Sequence, residues 1–226
     1  MDANARIAEF AQFVPQIAPE AAGVVVMAQP AEWLMPRDTR AYAISGRHLG
    51  LREHLRSRGR WPGYYPGAIV FIDVPEDREE LYGLGIHELA HQTPAWRWAD
   101  IEPTEADRAL QALALLVWSG TNPDPLLQPA PWLGHGADFI RRTLHLIARA
   151  AAKGVEVSLP AVGVAGAQYG LSGLWKYRRA LGGEPARLAG CSFAEIENIP
   201  APPEFIAVFE ADCEAWNRRK VNDGNN

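Results

Sequence analysis

The chain is short of the features that mark disulfide-built, membrane-spanning or nucleic-acid-coating proteins. Among 226 residues only Cys191 and Cys213 are cysteine, so at most one disulfide can form and no C-x-x-C pair exists. Reduced, buried thiols in a cytoplasmic protein are therefore expected. No apolar run reaches membrane-spanning length: Gly23–Ala28 is too short and reads as a strand. Met1–Arg6 is not a basic region followed by a long apolar stretch, so neither a leader nor membrane association is expected. An excess of positive charge is also missing. The 22 Lys and Arg stand against 27 Asp and Glu, and a net charge of −5 gives no bulk attraction to nucleic acid. Nucleic acid is thus an unfavoured partner. What remains is an ordinary globular composition, 48% hydrophobic and 22% charged, in a chain long enough to bury a sizeable core as one domain.

Histidine is scarce too, which makes its distribution informative. Two of the six histidines fall in His87-Glu88-Leu89-Ala90-His91, an H-E-x-x-H motif. On composition alone a chance match in a chain of this length is about a one-in-a-hundred event. Residues four apart share a helix face, so His87 and His91 can offer both imidazoles to one metal ion. Glu88 lies close enough to take a proton from an activated water without ligating. The flanks suit a strand followed by a helix. Ala68–Ile72 is β-branched and aromatic and is bounded by Pro66-Gly67 and Asp73-Val74-Pro75. Asp73 is the expected cap of a helix over residues 76–92, with Glu76, Asp77, Glu79 and Glu80 at its positive end. Gly83 and Gly85 weaken that helix by about 1 kcal/mol each relative to Ala, which close packing against the sheet is expected to offset.

A catalytic zinc takes three protein ligands and leaves a position open. Among His48, His54, His135 and His145, His135 is the strongest candidate. It precedes Ile140, Thr143, Leu144, Ile147 and Ala148, whose spacing predicts an amphipathic helix over 136–152. Asp138 is a candidate to orient a ligating imidazole. Glu102 and Glu105 are alternative ligands, but Glu102-Pro103-Thr104-Glu105 also reads as a capped helix start. Asp124 is explained by a turn. His145, ten residues past His135 on the same helix, cannot easily share the metal.

H-E-x-x-H on one helix, followed by H-G-x-x-F at the start of another, resembles the SprT-like zinc metallopeptidases and related zincins. The resemblance covers roughly residues 67–150. It implies one zinc held by His87, His91 and His135, Glu88 as general base, and Phe139 as a packing residue. Forty-four positions separate His91 from His135, which implies a zincin with an insertion, and the missing C-x-x-C implies no zinc ribbon.

The expected fold is α+β, mostly helical, a zincin-like domain with a small sheet packed on the motif helix. Residues 1–221 form this domain, with a core at about 67–150, and 222–226 form a disordered tail. Further helices are expected at 5–14, 47–58, 104–118, 172–181 and 204–219, with a loop rich in small residues at 163–173. The expected activity is zinc-dependent hydrolysis of protein or peptide substrates, in which the strand at 68–72 could pair with an extended substrate. No oxyanion stabiliser stands out among Tyr169, Tyr177, His145 and Arg178. The alternative is a catalytically inactive, zinc-stabilised interaction module with Trp61, Tyr64, Tyr65, Trp96 and Trp98 as contact aromatics. Basic residues cluster at Arg47–Arg60; they read first as the solvated face of a helix carrying Leu49, Leu51 and Leu55 inward.

Overall fold

A computed structural model describes residues 2–33, 40–44, 49–63, 66–92, 105, 135–163 and 171–223. The expected helix at 104–118, and the loop at 163–173 beyond its ends, lie outside them. The fold is mixed α+β, mostly helical with a small three-stranded sheet. Helix α1 (Ala3–Ile17) is capped by Asp2, whose carboxylate accepts the Ala5 N–H at 2.8 Å. It buries Ile7, Phe10, Phe13, Val14 and Ile17, a stripe at helical spacing. Strands β1 (Val25–Ala28), β2 (Ala41–Ile44) and β3 (Ala68–Phe71) form one sheet in the order β1-β3-β2, with helix α2 (Leu49–Ser57) between β2 and β3 in sequence. β1 runs parallel to β3 and β2 antiparallel to it, with Val26 opposite Ile69 and Tyr42 opposite Val70.

Both faces of the sheet are covered, as the uninterrupted apolar run of β3 requires. Ile69 and Phe71 face α1 and the motif helix. Ala68 and Val70 face Leu51 and Leu55 of α2, joined by Met27, Tyr42 and Ile44. Leu51 and Leu55 thus point inward as expected. The basic residues of α2 are engaged: Arg52 and Arg56 lie over the Trp61 ring at 5.7 and 5.4 Å, and His54 pairs with Glu32 at 3.4 Å. Arg47 and His48 lie outside the described residues.

Helix α3 (Arg78–His91) carries the motif and packs on β2, β3, α1, α4 (Ala137–Ala152) and the short α5 (Leu159–Val162). Its cap is Asp77, which accepts the Glu80 N–H at 2.8 Å, and not Asp73. Asp73 is drawn off by an ion pair with Arg40 at 3.1 Å. The two motif-helix glycines do not face the sheet either. A Cβ on Gly85 would overlap the Phe10 ring of α1, and one on Gly83 would stand 2.6 Å from the Ser158 carbonyl oxygen at the start of α5. Helices α6 (Leu174–Leu181), α7 (Glu184–Arg187), α8 (Phe193–Asn198) and α9 (Pro203–Asp223) complete the described structure.

Two buried polar clasps tie the late helices to the core. Arg149 of α4 donates to the carbonyls of Ile17 (3.0 Å), Ala189 (2.7 Å) and Cys191, pairs with Glu20 at 3.2 Å, and lies over Phe193. Asp212 of α9 accepts the Tyr177 hydroxyl at 2.6 Å and the Ser172 N–H at 3.0 Å. Cys191 and Cys213 are unpaired and partly exposed, not buried as expected. Among the described residues no helix is long and apolar enough to cross a membrane.

Candidate metal centre

His87, Glu88 and His91 sit in the last two turns of α3, and His135 immediately precedes α4. Helical spacing puts His87 and His91 on one face, and the packing of α4 against α3 brings His135 to that face. One ligand atom from each of the three imidazoles lies within 4.8 Å of the others, the one such grouping among the described residues. Nitrogens bound about 2.0–2.1 Å from a tetrahedral zinc stand about 3.3 Å apart. The His87 and His135 Nε2 atoms are 3.2 Å apart, so the donor set fits such an ion.

His87 and His91 sit where the neutral form is favoured, and His87 is oriented by a backbone partner. His87 Nδ1 donates to the Val162 carbonyl at 2.7 Å, which puts its proton there and frees the Nε2 lone pair. Burial lowers the His87 pKa. The His91 value falls to about 2, first through burial and then through His87, His135 and Arg142. A ligand must be deprotonated, so each shift favours binding a cation. Phe139 stacks on His91 with ring centroids 4.4 Å apart and 29° between planes, and it meets His87 and His135 edge-on at 5.0 and 4.7 Å. It forms a rigid apolar wall for all three rings.

Glu88 points from α3 toward the sheet edge. It is 7% exposed, and burial pushes its pKa up to about 8, opposed by a hydrogen bond from the Ala43 N–H of β2. A carboxyl poised near neutrality can accept and return a proton. Arg142, buried in α4, donates to the Ala90 carbonyl inside the motif and pairs with Glu197 of α8, which fixes the end of α3.

Other sequence candidates fall elsewhere. Asp138 is exposed in the first turn of α4, where its charge acts on Arg142; the group that orients His87 is the Val162 carbonyl. A backbone acceptor 75 residues away leaves no sequence signal. Glu105 is exposed, while Glu102 and Asp124 lie outside the described residues. Of the oxyanion candidates, Tyr177 has its hydroxyl committed to Asp212 and His145 is fully buried beside Arg141 and Arg149. Arg178 is exposed on α6, and Tyr169 lies outside the described residues. Trp61 is stacked under two arginines, and Tyr64, Tyr65, Trp96 and Trp98 are outside the described residues. No family model, curated protein or solved structure matches the chain.

Proposed function

We propose that the protein is a zincin-like metallopeptidase of SprT-like type, hydrolysing peptide bonds with one zinc ion held by His87, His91 and His135. The observation that carries this reading is the convergence of three imidazoles, two from α3 and one from the approach to α4, beside a buried glutamate that is not among them. Zinc, when bound, supplies Lewis acidity at its open fourth position. Glu88 takes the proton of the attacking water and returns it to the leaving amine, a role suited to a carboxyl whose pKa lies near neutrality. The Ala43 N–H holds that carboxyl in place, and the Val162 carbonyl and Phe139 hold the imidazole rings.

The substrate track follows β2, not β3. β3 is the central strand with both edges already paired, so the expected pairing of residues 68–72 with a substrate has no edge to use. The Arg40 carbonyl accepts the Ile72 N–H, so by antiparallel alternation Tyr42 and Ile44 bond inward while Ala41 and Ala43 turn their backbone groups outward. Glu88 takes the outward Ala43 N–H, so an extended peptide would pair with the outward groups of Ala41 and with the Ala43 carbonyl, and would pass beside the general base.

Glu88→Gln keeps side-chain size and removes basicity. It is expected to retain fold and about one zinc per chain by elemental analysis while losing at least about a hundredfold in hydrolysis of an unfolded protein or diverse peptide mixture followed by mass spectrometry. Equal cleavage by wild type and variant sinks the mechanism. Zinc binding with no cleavage by either favours the inactive interaction module.

A further inference from the structure

Far along the chain from the histidines, α6 carries a surface that the peptidase reading does not use. Trp175 is 58% exposed, the exposed large hydrophobic side chain among the described residues. Its indole lies close to the backbone at Gly173, where a Cβ would stand 3.1 Å from Cδ1. Trp175 borders a groove between α6 and the start of α9, floored by Ala180, Leu181, Pro202 and Val208. Lys176 and Arg179 line the same groove, and Arg178 lies one turn from Trp175 on the same helix. All three cations are exposed, and among the described residues none of their side chains forms an ion pair or hydrogen bond. Glu204 is the one carboxylate in the lining. In a chain of net charge −5, these three cations around an exposed indole and an apolar floor form a local inversion of sign.

We propose that this groove is a docking site for an acidic protein segment that inserts a large apolar side chain beside Trp175. A single aromatic with a carboxylate in the lining gives nucleic acid little to stack on and a charge to avoid. Lys176, Arg178 and Arg179 meet the partner's carboxylates; the indole and floor receive its apolar anchor. An exposed tryptophan beside arginines is the composition in which binding energy concentrates.

The test is anisotropy of a fluorescein-labelled peptide of about 14 residues, four glutamates flanking a central Leu and Phe, with a glutamine-for-glutamate peptide as control. Saturable binding of the acidic peptide is expected. It should weaken at least about tenfold for Trp175→Ala and for Lys176→Glu with Arg179→Glu, and weaken with salt. Arg58→Glu, a charge change on another face, should leave it unaltered. All substituted residues are exposed, and circular dichroism checks that the fold is kept. The proposal is overturned if the acidic peptide does not bind below about 1 mM, if the glutamine peptide binds as well, or if Arg58→Glu acts as strongly as the groove variants. It is overturned equally if single-stranded DNA or anionic vesicles occupy the Trp175 groove more tightly than the peptide.

Discussion

Gly83→Ala offers the sharpest test of how the candidate metal centre is held, because it touches no ligand. A Cβ at this position would stand 2.6 Å from the Ser158 carbonyl oxygen, 2.9 Å from Ala161 Cβ and 3.1 Å from the Val162 backbone N. None of these atoms can rotate away. The closest is about 0.8 Å short of ordinary contact, so α5 has to move off α3 by several tenths of an ångström. The Val162 carbonyl travels with α5, and its 2.7 Å bond to His87 Nδ1 then stretches beyond the usual limit of about 3.2 Å. Loss of a partner that orients a metal-binding histidine costs about 10- to 100-fold in affinity, or about 1.4–2.8 kcal/mol. Stability should change less, because the roughly 1 kcal/mol gained in helix propensity offsets overpacking of about 1–3 kcal/mol. The assay is zinc competition against a chromogenic chelator, paired with denaturant unfolding in excess chelator. Gly85→Ala is the control: its Cβ strikes the Phe10 ring in the core, so it should cost stability while leaving zinc affinity within about threefold. Wild-type zinc affinity in Gly83→Ala would refute the argument that the α5 carbonyl seats His87.

His87→Ala or His91→Ala should abolish tight zinc binding and His135→Ala should weaken it severely, read by elemental analysis after dialysis; full occupancy in His135→Ala transfers the third-ligand role to another group. His145 is fully buried, and burial, then Arg141 and Arg149, lower its pKa to about 4. Its folded value lies below the unfolded value of about 6.5, so the unfolded chain binds the proton first. Stability should therefore fall by at most about 3 kcal/mol as pH drops from about 6.5 to 4, and His145→Gln should lack that component in unfolding at pH 7 and 4.5. A wild-type minus variant difference that stays constant with pH would exclude it. Arg149→Met leaves Glu20 buried without its cation and should cost about 3–5 kcal/mol in denaturant unfolding, with Glu20→Gln added to recover part; a loss under 1 kcal/mol would show that the clasp is unimportant.

The parts of the fold written in local pattern were legible. β3 is four consecutive buried apolar residues, and α4 has a clear 3.6-residue stripe from Phe139 to Ile147. The three histidines were found because ligand chemistry restricts residue types and the helix restricts spacing. β2 was missed: Ala41-Tyr42-Ala43-Ile44 is short, half alanine, and defined by what it pairs with. The start of α3 was misplaced because Asp73 and Asp77 are both good caps, and only the distant Arg40 decides between them. Gly83 and Gly85 signalled close packing, but not whether a strand or a helix would press on them. α5, α7 and α8 span only four to six residues, too short to show a period.

Two of the three imidazoles belong to α3 and the third precedes α4, with 43 residues of chain between His91 and His135. An ion shared by them would be a cross-link between two segments of the chain. The chain would be fastened at a point that the unfolded polymer must find across this sequence separation, and the entropy of closing it grows only slowly with length. Folding and metal loading then become one equilibrium: at a thousandfold excess over the dissociation constant, the ion adds about 4 kcal/mol to stability. Metal supply would thereby govern how long the molecule survives.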